Sequence, residues 1–427
     1  MKLNVKRTIL VGLAFLSICS FWQLYDSIVP LILKNTFAVS DTVSGVIMAM
    51  DNVLAIFLLP LFGALSDKTP TRLGRRTPFI LIGTGCAVIS MMLIPIADHN
   101  RILILFAVAL GLTLLSMGLY RSPAVALMPD VTPKPLRSEA NAIINLMGAV
   151  GGVITLGLIR FLVPKGASPD YIPLFSCVAA IMVISVAVLF FTVRENSAAA
   201  EAAAVNGDEE DTSKQTSAGK KTKLPPEVRR SMIFLLVSVA FWFMGYNAVT
   251  TAFSRYAQIQ WGLEGGGFAN CLMVATIAAV ISYIPVGFLA TKFGRKKAIL
   301  SGIALLALCF AAGAFVKTYH PAVNVMFALV GVAWALINVN SYPMVVEMGH
   351  GSDVGRFTGF YYTFSMAAQI VTPILSGALL EHVGYGTLFP YAAVCVVLSF
   401  FTMTQVRHGD SKPLPPKSKL EAFNTPD

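Results

Sequence analysis

The sequence predicts an all-α polytopic membrane protein, with twelve transmembrane helices arranged as two pseudo-symmetric six-helix bundles. Three observations predict it: a series of long apolar runs, basic residues gathered in alternate loops, and a loop motif that occurs once in each half. Of 427 residues, 56% are apolar and 13% charged, and the mean hydropathy is +0.72. Soluble domains carry about 25% charged residues. So few charges leave too much apolar surface for water, and a bilayer is the solvent that suits such a chain.

A helix needs roughly 20 apolar residues to cross about 30 Å of hydrocarbon. Twelve segments meet that need, at 8–33, 42–66, 77–97, 102–129, 138–163, 172–193, 231–254, 267–290, 298–316, 321–345, 356–380 and 386–405. Breaker clusters separate them, among them Asp98-His99-Asn100, Gly166 to Pro169 and Gly262 to Gly267. The basic N-terminus leads into an apolar run that continues to Leu33 without a small-x-small cleavage site, which reads as the first span rather than a signal peptide.

Orientation follows from the cations. With the N-terminus inside, only seven of the 32 lysines and arginines fall outside the cytoplasmic segments: Lys34, Arg101, Arg121, Arg160, Lys165, Arg255 and Lys317. That asymmetry predicts that both termini are cytoplasmic, and the expected location is the cytoplasmic (plasma) membrane. Residues 194–230 are polar, with an acidic block and a basic block, and are expected to form a disordered or loosely helical linker. The chain then divides into an N-terminal bundle (1–193), this linker (194–230), a C-terminal bundle (231–405) and a cytoplasmic tail (406–427).

Composition also excludes several classes. The net charge of +10 comes from short loops, which points to membrane lipid headgroups and not to nucleic acid. Six cysteines lie in apolar runs without CxxC spacing, and the five histidines lie in predicted loops or the tail. No metal site, cofactor motif or hydrolytic constellation is legible, so the expectation is a protein that is not an enzyme. A membrane sensor needs a folded soluble domain, which the linker and tail are too short and polar to supply.

The two halves share a motif. After the second span comes Gly63-Ala-Leu-Ser-Asp67 and then Arg72-Leu-Gly74-Arg75-Arg76; after the eighth comes Gly287-Phe-Leu-Ala-Thr291-Lys292-Phe-Gly294-Arg295-Lys296. The glycines allow close helix approach, and the cations anchor a tight loop at the headgroups. A second echo ends the fourth and tenth spans: Asp130 is followed by Arg137, and Glu347 by Arg356.

Twelve spans, a central linker and duplicated loops resemble the major facilitator superfamily over nearly the whole chain. The stretch Asp67-(x4)-Arg72-x-Gly74-Arg75-Arg76-x-Pro78-Phe79-Ile80 is similar to that of plant sucrose-proton symporters and their animal and bacterial relatives, in the glycoside-symporter branch. Pro123-x-x-Ala126-Leu127-x-x-Asp130 followed by Ala140-Asn141-Ala142 resembles the same group. The resemblance implies a mid-membrane cavity lined chiefly by helices 1, 4, 7 and 10 and exposed to each side in turn. It also implies a cytoplasmic gate of Gly63, Asp67, Arg72, Gly74, Arg75, Arg76, Asp130, Arg137, Glu347 and Arg356, which would tie the halves together when the cavity faces out. Simple anchoring of the topology is the alternative reading of those residues.

Ionisable side chains inside the spans cost on the order of 2.5–3.5 kcal/mol each at a helix centre and are kept where a polar cavity or a partner receives them. Asp26, with Trp22, Gln23 and Tyr25, combines a stacking ring, an amide, a phenol and a carboxylate, a mixture suited to a sugar. Asp26 and Asp51 are the candidate proton-coupling residues, a proton or other cation being the expected coupling ion; structural hydrogen bonding is the alternative for both. Arg121, preceded by Tyr120, lies about 13 Å from the cytoplasmic end, a long reach for a snorkelling side chain. In the second half Trp242, Tyr246, Asn247, Trp334, Asn338, Asn340 and Gln369 offer rings and amides, and Tyr361 is a weaker candidate. The sequence departs from the sucrose pattern in the fourth span: Leu114 and Val125 stand where those proteins carry an Asp and an Arg, and Arg121 lies one turn before Val125 on the same face. The resulting expectation is a secondary transporter, working as a monomer, for a small polar solute such as a sugar. An antiporter or facilitator for another, anionic solute is the alternative.

Overall fold

The computed structural model describes residues 3–166, 169–206, 225–348 and 354–410, apart from the side chains of 138, 291, 354 and 355. Within them the chain forms twelve helices long and apolar enough to cross a membrane. They are α1 (Val5–Asn35), α2 (Asp41–Asp67), α3 (Thr77–His99), α4 (Leu103–Asp130), α5 (Arg137–Leu162) and α6 (Ile172–Thr192) in the first half. The second half holds α8 (Pro226–Gln260), α9 (Ala269–Phe293), α10 (Arg295–Phe315), α11 (Val323–Glu347), α12 (Val354–His382) and α13 (Leu388–Thr404). Helices run past the apolar windows that announce them, most of all in α8, because a polar terminal turn keeps its backbone hydrogen bonds at the headgroups. Large apolar residues such as Phe161, Phe191 and Phe315 are more than 80% exposed on the outside of the bundle. In water that surface would aggregate; in lipid it is the expected exterior.

Each half packs around its own core. The helix α1 is buried along most of its length against α5 and α6, while α3 packs on α4. In the second half α9 and α10 pack on α11, and α8 packs on α13. The halves meet through α2 with α12, α5 with α9, and α1 with α8. The first two pairings exchange under the internal repeat, which relates α2 to α9 and α5 to α12.

The predicted linker is partly ordered. Residues Glu195–Asn206 form a short helix, α7, which lays Ala198 and Ala202 against the first half; residues 207–224 of the linker and 411–427 of the tail lie outside the described residues. Its first residue does more than connect. The α3 helix lacks a capping side chain of its own, and the Glu195 carboxylate accepts from the backbone N–H groups of Arg75 (2.7 Å), Arg76 (2.9 Å) and Thr77 (2.8 Å) and from Thr77 Oγ1 (2.7 Å). A carboxylate at a helix N-terminus is favoured by both the orphan N–H groups and the helix dipole. Gly74 makes room for it: its φ is +120°, and a Cβ there would overlap the Glu195 carboxylate. The second half repeats the device, with Asp410 Oδ1 accepting from Lys296 N at 2.9 Å beside Gly294.

Arg76 gathers the rest of the loop. Its Nε donates to Asp130 Oδ2 at 2.8 Å, Nη1 to Ser66 Oγ at 2.5 Å, and Nη2 to Asp67. Burial works against its charge, but Asp130 and Asp67 outweigh that and hold its pKa above the ordinary arginine value. In the second half Arg295 Nη2 donates to Glu347 Oε1 at 2.6 Å. Arg137 donates to the carbonyls of Pro129 (2.8 Å) and Thr132 (3.3 Å), a cation on the C-terminal end of α4. Arg356 lies over the Phe360 ring, while Arg72 and Arg75 are exposed. These contacts tie each half to itself.

Because Glu195 satisfies four donors, Glu195→Ala is expected to lower stability by about 1–2 kcal/mol. Thermal unfolding of the purified chain in detergent checks this: Glu195→Gln should fall between the two, and an unshifted midpoint for Glu195→Ala contradicts the capping role.

Candidate functional site

A cavity of about 860 Å³ lies between the halves. It runs from Asp26 and Asp51, each some 9–10 residues (~14 Å) inside its helix, to Pro129 and Asn141 at the ends of α4 and α5 that carry the basic loops. Val125, which lines it, is 46% exposed. At the other end the halves are joined: Arg255 Nη1 donates to Asp41 at 2.8 Å, Asn35 Nδ2 to Gln258 Oε1 at 3.0 Å and Thr42 N to Glu381 Oε2 at 2.8 Å. The cavity therefore opens towards the basic loops and is shut opposite them.

The first half supplies the ionic wall. Trp22 and Asp26 come from α1, Asp51 and Asn52 from α2, and Arg121 with Ser122 from α4. Asn52 Nδ2 donates to Asp51 Oδ1 at 2.8 Å. The Arg121 guanidinium stands 5.9 Å from the Trp22 ring, which itself packs edge-on against Phe21 and Tyr25. A cation over an indole face is held electrostatically without losing its capacity to donate hydrogen bonds. Leu114 lines a crevice shared with Trp22, Asp51 and Arg121. The carboxylate that the sucrose pattern puts on the fourth helix thus arrives at the same crevice from the second.

The second half supplies rings and amides. Trp334 and Asn338 of α11 line the cavity, as do Phe243 of α8 and Tyr283 of α9. Trp334 stacks flat on Tyr246 with centroids 3.7 Å apart and an interplanar angle of 10°, and meets Phe243 edge-on at 5.4 Å. The largest share from this half comes from α12, where Tyr361, Tyr362, Ser365, Met366 and Gln369 recur at helical spacing. The four lining helices implied by resemblance, 1, 4, 7 and 10, correspond to α1, α4, α8 and α11, and all contribute; α2 and α12, which pack on each other across the interface between the halves, line the cavity as well.

The predicted residues divide. Trp22, Asp26, Asp51, Arg121, Trp334, Asn338, Gln369 and Tyr361 come together on one cavity. The others lie behind it. Tyr25 is 2% exposed and donates to the Ile47 carbonyl, joining α1 to α2. Tyr120 is fully buried, sharing a 2.5 Å hydrogen bond with Ser17 and donating to the Ala14 carbonyl. Gln23 donates to Ser27 Oγ, and Asn247 and Asn340 donate to the carbonyls of Phe243 and Leu336 in their own helices. Trp242 is fully buried, and Tyr246 backs Trp334. None of these side chains is among those lining the cavity. Phe243, Tyr283 and Tyr362 also line the cavity; the helical spacing of Tyr361, Tyr362, Ser365 and Gln369 is the sequence signal for the last.

Comparison with known proteins agrees with this architecture. The sucrose transport protein SUC3 of Arabidopsis thaliana is 26% identical over 139 residues, which is 28% of this chain but only 23% of that protein's length. The class B tetracycline resistance protein of Escherichia coli is 21% identical over 385 residues, covering 83% of this chain and 84% of that protein. The inward-open structure of the xylose transporter XylE from E. coli superposes with a TM-score of 0.67 at 13% identity, over 95% of this chain and 96% of that one. The sequence profile of the Major Facilitator Superfamily matches residues 11–282 and 257–426, together nearly the whole length, and the chain belongs to that superfamily of membrane transporters.

Proposed function

We propose that the protein is a secondary active transporter that moves a small polar solute, a sugar or glycoside, by proton symport through alternating access. One observation carries the reading. A single cavity opposes two carboxylates and a guanidinium on one half to a wall of rings and amides on the other. Rings cover the apolar face of a sugar, and Asn338, Gln369 and the ionic groups suit its hydroxyls. Asp26 and Asp51 are the groups able to take up a proton at this depth. The sucrose transport protein among the relatives supports the solute class. With the basic loops on the cytoplasmic side by the positive-inside rule, the described form is inward-open, and both termini are cytoplasmic. In the outward-open form the loop residues Arg76, Asp130, Arg295 and Glu347, now paired within their halves, would come together as the opposing gate. Each copy holds a complete cavity, so the monomer suffices.

A second reading rests on Arg121, which lines the cavity: an antiporter or facilitator for another small organic solute, an anionic one.

Uptake into proteoliposomes under an imposed pH gradient separates the two. Sucrose or another glycoside should accumulate when the outside is acid, and accumulation indifferent to the gradient removes the symport reading. Asp26→Asn is expected to abolish accumulation while leaving counterflow exchange partly intact; if accumulation persists, Asp51→Asn should remove it. Arg121→Ala is expected to weaken solute binding about tenfold, or ~1.4 kcal/mol, by titration calorimetry with sugars and organic acids in parallel; an unchanged affinity assigns Arg121 to the scaffold.

A further inference from the structure

A second cavity, of about 340 Å³, lies at the edge of the molecule opposite the basic loops, where the end of α5 meets the short turn Gly265–Phe268 between α8 and α9. That is room for about ten waters at ~30 Å³ each. Its walls come from both halves: Arg160, Val163 and Lys165 from the first, Leu263, Glu264 and two glycines from the second. The join between these walls is tight. Gly266 N donates to the Val163 carbonyl at 3.3 Å, and a Cβ on Gly266 would collide with the Ile159 carbonyl. Backbone contacts therefore fix the cleft, while its three charged side chains are exposed. Among the described residues, none of those three side chains forms a hydrogen bond or an ion pair. Two cations and a carboxylate share one cleft without meeting.

Unpaired surface charge alone says little; the apolar strip beside it says more. Arg160 is followed by Phe161, which is 84% exposed on the outside of the bundle. One turn deeper on the same face of α5, nothing stands within 4 Å of the place a Cβ on Gly157 would take, and Ile154 beyond it is 41% exposed. A gap in the apolar surface thus begins just beneath the charged cleft. A phospholipid has that shape, a charged head above an apolar chain.

We propose that this cleft binds a phospholipid whose headgroup carries both a phosphate and a primary ammonium. Arg160 and Lys165 receive the phosphate, Glu264 receives the ammonium, and an acyl chain lies along α5 past Gly157. Guanidinium and ammonium groups hold phosphate through charge-assisted hydrogen bonds. A primary ammonium offers three donors to the carboxylate, whereas a choline head offers none. A glycerol head brings no cation and leaves Glu264 beside the lipid's own negative charge. Assignment to the outer leaflet rests on the orientation given above; the headgroup chemistry does not.

The test uses neither solute nor pH gradient, so its failure is distinct from failure of the transport reading. The purified chain is stripped of lipid, supplied with lipid in detergent micelles and read by native mass spectrometry. Dioleoyl phosphatidylethanolamine is expected to be retained at least fivefold better than the phosphatidylcholine or phosphatidylglycerol with the same chains. Arg160→Gln with Lys165→Gln should lower that retention at least fivefold, and Glu264→Gln should bring the ethanolamine and glycerol heads within twofold of each other. Gly157→Leu fills the gap without touching a charge, suits a helix, and should lower retention about threefold, a readout that survives if the charge variants do not fold. The site is overturned if the parent holds the ethanolamine and glycerol heads equally, or if Glu264→Gln keeps the parent's preference. Displacement of the lipid by millimolar inorganic phosphate also overturns it, because the cleft would then be a site for a free anion.

Discussion

A charge inside hydrocarbon has to find water, a counter-charge or a cluster of hydrogen bonds, and the arrangement of this molecule follows from three different answers to that demand. Arg76 sits at the membrane edge and is surrounded by acceptors: Asp130, Asp67 and Ser66. Asp41 lies at the outer end of α2, is buried, and is paired on both oxygens. Asp26, Asp51 and Arg121 are deep and are placed on a cavity. The first answer holds a loop in place, the second joins the two halves, and the third leaves charge on the wall of a cavity.

The internal repeat shows which answers belong to the scaffold. An acid after the last helix of each half, Glu195 or Asp410, accepts from the backbone at the start of the third helix of that half, and a loop arginine, Arg76 or Arg295, meets the acid that ends the fourth. Duplicated devices of this kind hold each half rigid, and rigid halves can rock as bodies. The cavity breaks the symmetry. Its carboxylates and guanidinium all come from the first half, while the second presents Trp334, Phe243, Tyr361 and Tyr362. The proposed solute would meet charge on one side and rings on the other. Closure of either mouth changes the distance between the two.

Spans and loops were legible because they depend on length, hydropathy and the count of cations, all of which are local. Azimuth was not. The helices are apolar all round, so nothing in the periodicity separates the face of α1 bearing Trp22 and Asp26 from that bearing Tyr25, although the residues are adjacent. Depth estimates therefore gathered Tyr120, Trp242 and Asn340 with Arg121 and Trp334, and packing divided them. Partners distant in sequence were equally hidden. Asp41 meets Arg255 and Tyr385 from beyond 200 residues, and Glu195 reaches Arg76 across 119; each acid alone resembles an ordinary helix-end residue. The duplicated loop was the exception, since a motif that occurs twice needs no partner to be seen.

The departure at the fourth helix has a mechanical consequence. Leu114 vacates the position of the acid in the sucrose pattern, and Asp51 brings a carboxylate to the same crevice from α2. That transfer puts the cavity acid on the helix whose first residue is Asp41, ten residues or ~15 Å away on one continuous hydrogen-bonded rod. The rod packs on α12 across the boundary between halves, and α12 contributes five cavity residues. Movement of one half against the other would therefore shift Asp51 relative to the α12 wall.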